Sequence, residues 1–315
     1  MKLSQMPALI QLQSELLQTQ ELIDASGLIT SGESSVGLPS DLGNSQSLLD
    51  ACDSALEATL KSGQPVVRLL LHFACTGGTL FSKVLAALPN VFLLSEVHAN
   101  SPLAPASHRF APSDVALLSR AAGFPDKDKF CDRLMSVSLA TSAQWIHARG
   151  GSLIIRDHTH SDFCHLIAAK ESRLVAICEP LFSDTRPIIT IRHPASSYAS
   201  LERNGWAHFE PEDFTTYCDR YHQFLDAVAE ATLIKYEDFV EDPEETLQRV
   251  CRHWGLDYSD LALEVFSIFE FSGDSGRKGA EISIRAPTAR DMELRQTTTA
   301  ATYSRLLDRL GYPSG

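Results

Sequence analysis

The sequence predicts an α/β protein built on an open, mostly parallel sheet flanked by helices. Three observations carry this. Short apolar runs with β-branched residues, the mark of strands buried on both faces, alternate with longer amphipathic stretches. Pro194, Pro211 and Pro243 each open one of those stretches, at the first helical turn, where proline is tolerated. A glycine-bearing loop leads directly from the first apolar run into the first helical stretch. Folds of this class bind their ligands beyond the carboxyl ends of the strands.

Taken in chain order, residues 1–62 are expected to be an N-terminal helical extension and linker, and 63–315 the main domain. Leu9, Leu12, Leu16 and Leu17 fall at helical spacing, whereas Ser31–Ser47 mixes Gly, Ser, Pro and Asn without period and reads as linker. A short helix over 47–61 stops at Gly63 and Pro65, and the core opens with the strand run Val66–Phe73. Further strands are expected at Val91–Leu94, Ser152–Arg156, Ile188–Arg192 and Thr232–Tyr236. Helices are expected at Thr79–Leu88, Asp162–Lys170, Pro194–Arg203, Pro211–Ala229 and Pro243–Trp254. Residues 259–270 and 290–311 read as two closing amphipathic helices.

Composition narrows the function classes. The 315 residues carry 27 Lys+Arg against 40 Asp+Glu, a formal charge of −13. That balance opposes sequence-independent nucleic-acid binding, which rests on neutralising phosphates with basic side chains. No stretch approaches the ~18 uninterrupted apolar residues of a membrane span. The seven cysteines form no CxxC pair, which argues against a zinc ribbon or a disulfide framework and for a reduced, cytoplasmic protein. No His/Cys cluster has metal-ligand spacing, so no metal is expected.

The loop Ala74-Cys-Thr-Gly-Gly-Thr79 is the first candidate for chemistry. Two glycines let the backbone turn its N–H groups inward, and the helix start adds unpaired donors and a partial positive charge. Thr76, Gly77, Gly78, Thr79 and Leu80 thus form a candidate anion cradle that needs no net positive charge on the protein. The GxxxxGK[ST] pattern of a Walker A loop is absent.

Four segments in order resemble the family of sulfotransferases that use 3′-phosphoadenosine 5′-phosphosulfate (PAPS). Cys75–Thr79 is similar to that family's 5′-phosphosulfate loop. Ile191–Ser200 resembles its 3′-phosphate motif, with Arg192 at a strand end and Ser200 eight residues on, two helical turns away. Arg277-Lys278-Gly279 matches the segment that closes over the same phosphate, and Ile234–Glu245 resembles a scaffold stretch placing Tyr236 on the adenine side. The resemblance spans about residues 66–290 and implies a P-loop NTPase-like sulfotransferase fold. It departs at Cys75, where the family usually carries Lys or Arg. A thiol at a helix start can have a lowered pKa, which keeps a nucleophilic Cys75 as the alternative there.

Leu153–His158 resembles the strand-end segment in which the family's Lys steadies the leaving oxygen and its His takes the acceptor proton. Carried across, Arg156 takes the first role and His158 the second, both on one side of the strand end. Glu96, after the second strand, resembles the carboxylate that other branches use as base, so two candidate bases stand. The implied activity is in-line transfer of the PAPS sulfonate to a hydroxyl or amine of a small or neutral acceptor. Pro102, Pro105, Phe110, Phe124, Trp145, Trp206 and Phe209 are the expected apolar wall for that acceptor. A small-molecule kinase and an inactive nucleotide-binding module are the alternatives.

Overall fold

The computed structural model describes residues 65–102, 112–271 and 281–313. Five strands, β1 (Val67–His72), β2 (Val91–Val97), β3 (Ser152–Asp157), β4 (Thr185–Ile191) and β5 (Thr232–Lys235), form one all-parallel sheet. Their order is β2-β3-β1-β4-β5. The chain therefore leaves β1 toward one edge, returns through β3, and crosses to the other side at β4. Loops on either side of β1 diverge at this switch and open a crevice at the carboxyl ends of the strands.

Between the strands lie α1 (Gly78–Ala86), α2 (Val115–Ala121), α3 (Lys127–His147), α4 (Thr159–Phe163) and α5 (Arg173–Cys178). They are followed by α6 (Pro194–Asn204), α7 (Phe214–Ala227), α8 (Tyr236–Glu241), α9 (Pro243–Trp254) and α10 (Leu261–Val265). The helices α11 (Ala289–Thr297) and α12 (Ala301–Leu310) close the chain. Helix α9 shows how local sequence sets an element. Asp242 caps its N-terminus by accepting from the Glu245 amide at 3.0 Å, Pro243 occupies the first turn, and Gly255 ends it at φ 62°. Leu247, Val250, Cys251 and Trp254 form its buried stripe.

Period-two alternation divides the strands between two cores. Val67, Leu69 and Leu71 of β1 join Leu153, Ile155, Ile189 and Ile191 against α3, α7 and α12. Leu70, Ile154 and Ile188 face α1 and α9. By the same alternation His72 and Arg156 lie on the α1 side, and Asp157 is buried on the other.

The structure redraws several expected elements. The helix expected at Asp162–Lys170 is α4, which stops at Phe163. Asp162 folds the following chain back instead, its carbonyl accepting from the Ala169 amide at 2.7 Å and its carboxylate from the Arg173 amide at 3.0 Å. Helix α7 starts at Phe214, three residues after Pro211, because Asp213 caps it through the Thr216 amide at 2.7 Å. The expected helix 290–311 is broken into α11 and α12 by a run of three threonines with weak helix propensity. Within 97–150, α2 and α3 stand where no helix was expected; α3 buries only Cys131, Leu139 and Ala143 and so carries a faint apolar stripe. The extension expected at 1–62 lies outside the described residues.

Candidate active site

The loop after β1 enters α1 through Gly77, at φ +91° with no side-chain cap on the helix. Only glycine fits there, since that φ disfavours any Cβ and the Tyr236 ring fills the space one would take. A Cβ on Gly78 would lie 2.7 Å from Cγ of His72. The first turn of α1 contains no acidic residue, and its leading N–H groups have no intrahelical acceptors by helix geometry. Thr76 departs from the expected cradle. Its amide donates to the Phe73 carbonyl at 3.3 Å and its hydroxyl to the same oxygen at 2.8 Å, so Thr76 is turned into the protein. The amides of Gly77 through Leu80 remain as the candidate cradle.

Arg156, buried at the end of β3, is the hub of the site. Its Nε donates to Nε2 of His72 at 3.0 Å, its Nη1 to Ser95 Oγ at 3.1 Å, and its Nη2 to Thr79 Oγ1 at 3.1 Å. The last bond puts a guanidinium at the start of α1, close to the loop that carries Cys75. Nη2 also meets Glu96 Oε1 at 2.5 Å. Glu96 gets there by a bulge: pairing of β2 with β3 slips between Leu94 and Val97, and Glu96 takes φ 58°. Bulges re-aim side chains, and a non-glycine residue at positive φ is strain held in place by its surroundings. Burial raises the Glu96 carboxyl above its ordinary value against the opposing pull of Arg156. Arg156 is lowered by burial and raised again by Glu96.

His158 follows β3 and caps α4. Its Nε2 lies 3.6 Å from Glu96 Oε2, and its Nδ1 is 2.6 Å from Ser161 Oγ, which is 2.7 Å from Ser101 Oγ. Burial is the main force lowering His158 to about 4, with His98 and Arg156 adding to it. The ring is therefore neutral at physiological pH. His98 accepts from the Asn100 amide at Nδ1 (3.1 Å), so its proton is on Nε2 and bonds Asp162 at 3.0 Å. His72, accepting from Arg156, is also neutral, its pKa well below ordinary through burial.

Arg192 at the end of β4 is held lightly. Its Nη1 reaches Ser200 Oγ and the Cys75 carbonyl at 3.4 Å each, and its guanidinium lies 4.9 Å from the Tyr236 ring centre. Beside it, Arg295 of α11 bonds Asp291 at 2.6 Å and Ser196 at 3.0 Å. Arg277, Lys278 and Gly279 lie outside the described residues. A single cavity of about 1080 Å³ joins the loop, Arg156, Glu96, His158, Arg192 and Ser200. Of the expected apolar wall, Trp206 lines it; Phe209 is core, Phe124 and Trp145 are exposed, and Pro105 and Phe110 lie outside the described residues. Cys75 also lines the cavity, but burial pushes its thiol up to about 12, which argues against the nucleophilic thiolate alternative.

Sequence reasoning did not find His72, Ser95, Ser161 or the Asp291–Arg295 pair. His72 left a trace, a lone imidazole in the apolar run Leu69-Leu-Leu-His-Phe73. The others depend on folding contacts between distant segments.

Residues 73–260 match the model of the sulfotransferase family. The chain belongs to that family. Among solved structures it is similar to the sulfotransferase domain of the olefin synthase from Synechococcus PCC 7002. Identity is 17%, over 79% of this chain and 96% of that one, with a TM-score of 0.50. The sulfotransferase domain from the curacin biosynthetic pathway gives 16% identity, 80% and 99% coverage and a TM-score of 0.49. Mouse sulfotransferase SULT7A1, solved with PAP, gives 13%, 81% and 87%, with a TM-score of 0.38. No curated protein matched at the sequence level. Among the described residues no helix is long and apolar enough to cross a membrane, and no group of three or more His, Cys, Asp or Glu is placed to hold a metal.

Proposed function

We propose that the chain moves the sulfonate of PAPS to a hydroxyl or amine of a small or neutral acceptor, in line, with Glu96 as the general base. The observation that supports this is one cavity with two separate ends that offer hydrogen-bond donors. One is the uncapped start of α1 with Arg156 against Thr79; the other is Arg192 with Ser200. A donor phosphorylated at both its 5′ and 3′ positions fits that pair. The amides of Gly77–Leu80 would hold the 5′-phosphosulfate, and Arg156, held by His72, Ser95, Thr79 and Glu96, would neutralise charge on the leaving oxygen. Arg192 and Ser200, with Arg277–Gly279, would anchor the 3′-phosphate, and Tyr236 would flank the nucleotide.

Glu96 lines the cavity with its Oε2 3.6 Å from His158 Nε2, while Oε1 is held by Arg156. Burial leaves that carboxylate more basic than an exposed one, which suits proton removal from an acceptor near neutral pH. His158, lowered to about 4, is the weaker base of the two. No resident metal enters this scheme. The six free cysteines among the described residues suit a reducing, cytoplasmic setting.

The test is incubation with sulfur-labelled PAPS and a panel of neutral alcohols and amines. Label is expected in an acceptor, and Glu96→Gln should cut turnover by about 10²–10⁴-fold while still binding the nucleotide. Full turnover by that variant would remove Glu96 from the base role. Phosphoryl transfer from ATP without any use of PAPS would favour the kinase alternative.

A further inference from the structure

Nothing in the transfer scheme above accounts for the two hydroxyls that run from His158 through Ser161 to Ser101. Ser161 is 7% exposed and sits between the imidazole Nδ1 at 2.6 Å and Ser101 Oγ at 2.7 Å. A serine hydroxyl has one proton to give and two lone pairs that accept, so the contact with the ring runs in one of two senses. Either Ser161 donates to Nδ1 and can accept from Ser101, leaving the ring proton on Nε2, or Ser161 accepts from a proton on Nδ1.

The groups around the ring decide between them. Nε2 faces Glu96 Oε2 at 3.6 Å, and the guanidinium of Arg156 at 2.5 Å favours the anionic form of Glu96. Nδ1 faces a neutral hydroxyl. A neutral imidazole with a single N–H directs it at the carboxylate, because charge-assisted hydrogen bonds are the stronger ones. Burial and the nearby Arg156 and His98 keep the ring from gaining a second proton, with Asp162 opposing them. The separation from Glu96 is slightly beyond hydrogen-bond length, as catalytic contacts often are before substrate enters.

We infer that Ser161, backed by Ser101, is a positioning residue that donates to Nδ1 of His158 and thereby keeps the ring's proton on Nε2, aimed at Glu96. Ser161 touches neither donor nor acceptor. It acts through His158, which in turn orients the Oε2 that takes the acceptor proton. The inference rests on Glu96 being the base, as proposed above, but its first readout does not require activity.

Nitrogen-15 NMR of histidine-labelled full-length protein should show His158 with its N–H on Nε2 and a hydrogen-bonded, unprotonated Nδ1. A hydroxyl donated to Nδ1 favours the neutral ring, so Ser161→Ala should move the His158 pKa upward, toward the ordinary histidine range. Ser161→Thr, which keeps the hydroxyl, should restore it. In turnover, Ser161→Ala should lower kcat roughly tenfold or more with KM for PAPS unchanged, again with rescue by Thr. An N–H on Nδ1 in the parent protein, or a pKa that falls or stays fixed in Ser161→Ala, would overturn the inference. Either result would leave nucleotide use untouched, whereas failure to use PAPS would leave the NMR result standing.

Discussion

Arg192→Met separates recognition of the 3′-phosphate from everything else in the site. The substitution removes the guanidinium and keeps an apolar stem against Tyr236. Among the described residues the Arg192 side chain makes two long hydrogen bonds, at 3.4 Å to Ser200 and to the Cys75 carbonyl, and an aromatic contact at 4.9 Å. Losing these should cost the fold at most about 1 kcal/mol. The loss toward ligand is larger: a hydrogen bond to a charged group contributes about 1.5–3 kcal/mol, or roughly 10- to 100-fold in affinity. Isothermal titration at one fixed salt concentration, since salt screens such contacts, should show 3′-phosphoadenosine 5′-phosphate weakened by that factor. AMP, which lacks the 3′-phosphate, should be unaffected. Equal weakening of both, or of neither, would refute the assignment of Arg192.

Gly77→Ala should destabilise the fold by more than the ~1–2 kcal/mol of a left-handed backbone, because Tyr236 occupies the Cβ position. Gly123→Ala, at φ +69° with nothing within 4 Å, supplies the backbone cost alone, and melting both variants measures the difference. Asp157→Asn tests a buried carboxyl whose Oδ2 accepts from Ser172 at 2.8 Å and whose Oδ1 has no hydrogen-bond partner among the described residues. Burial, then Asp162, pushes Asp157 up to about 8 from 3.8. The native state therefore holds a proton that the unfolded chain releases, so this group weakens the fold as pH rises from about 4 to 8. Urea unfolding should find Asp157→Asn gaining on the parent protein between pH 5 and pH 8; a constant difference would contradict the shift. His158, lowered from 6.5 to about 4 by burial, works in the opposite sense. The unfolded chain takes up the proton first, so stability falls as pH drops from about 6.5 to 4, and His158→Gln should flatten part of that loss in acid melts.

Local signals in the sequence had unequal reach. The five strands, the glycine loop and the Arg192–Ser200 spacing were legible because each is set by residues within about ten positions of one another. Helix α9 was read to the residue, with its proline, cap and apolar stripe all agreeing. What escaped depends on pairing between distant segments. Glu96 could be named as a candidate, but its aim follows from a register slip between β2 and β3 that no local pattern encodes. Ser161 and Ser101 are unremarkable serines until the fold brings them 2.7 Å apart. The long α3 was missed because it lies on the sheet with a thin apolar stripe. The acidic total of −13 is compatible with an anionic donor because the positive ends of this cavity are local: a helix start and a few arginines.

The proposed function requires this cavity to select a nucleotide carrying phosphate at both the 3′ and 5′ positions of its ribose. The most direct measurement is thermal stabilisation of the unaltered protein by 3′-phosphoadenosine 5′-phosphate, compared with AMP and ATP at equal concentrations. At 100 times its Kd, the 3′-phosphorylated nucleotide should stabilise by about 2.7 kcal/mol, with AMP and ATP far behind. Stabilisation by ATP that equals or exceeds it, or no response to it at saturating concentration, would contradict the account.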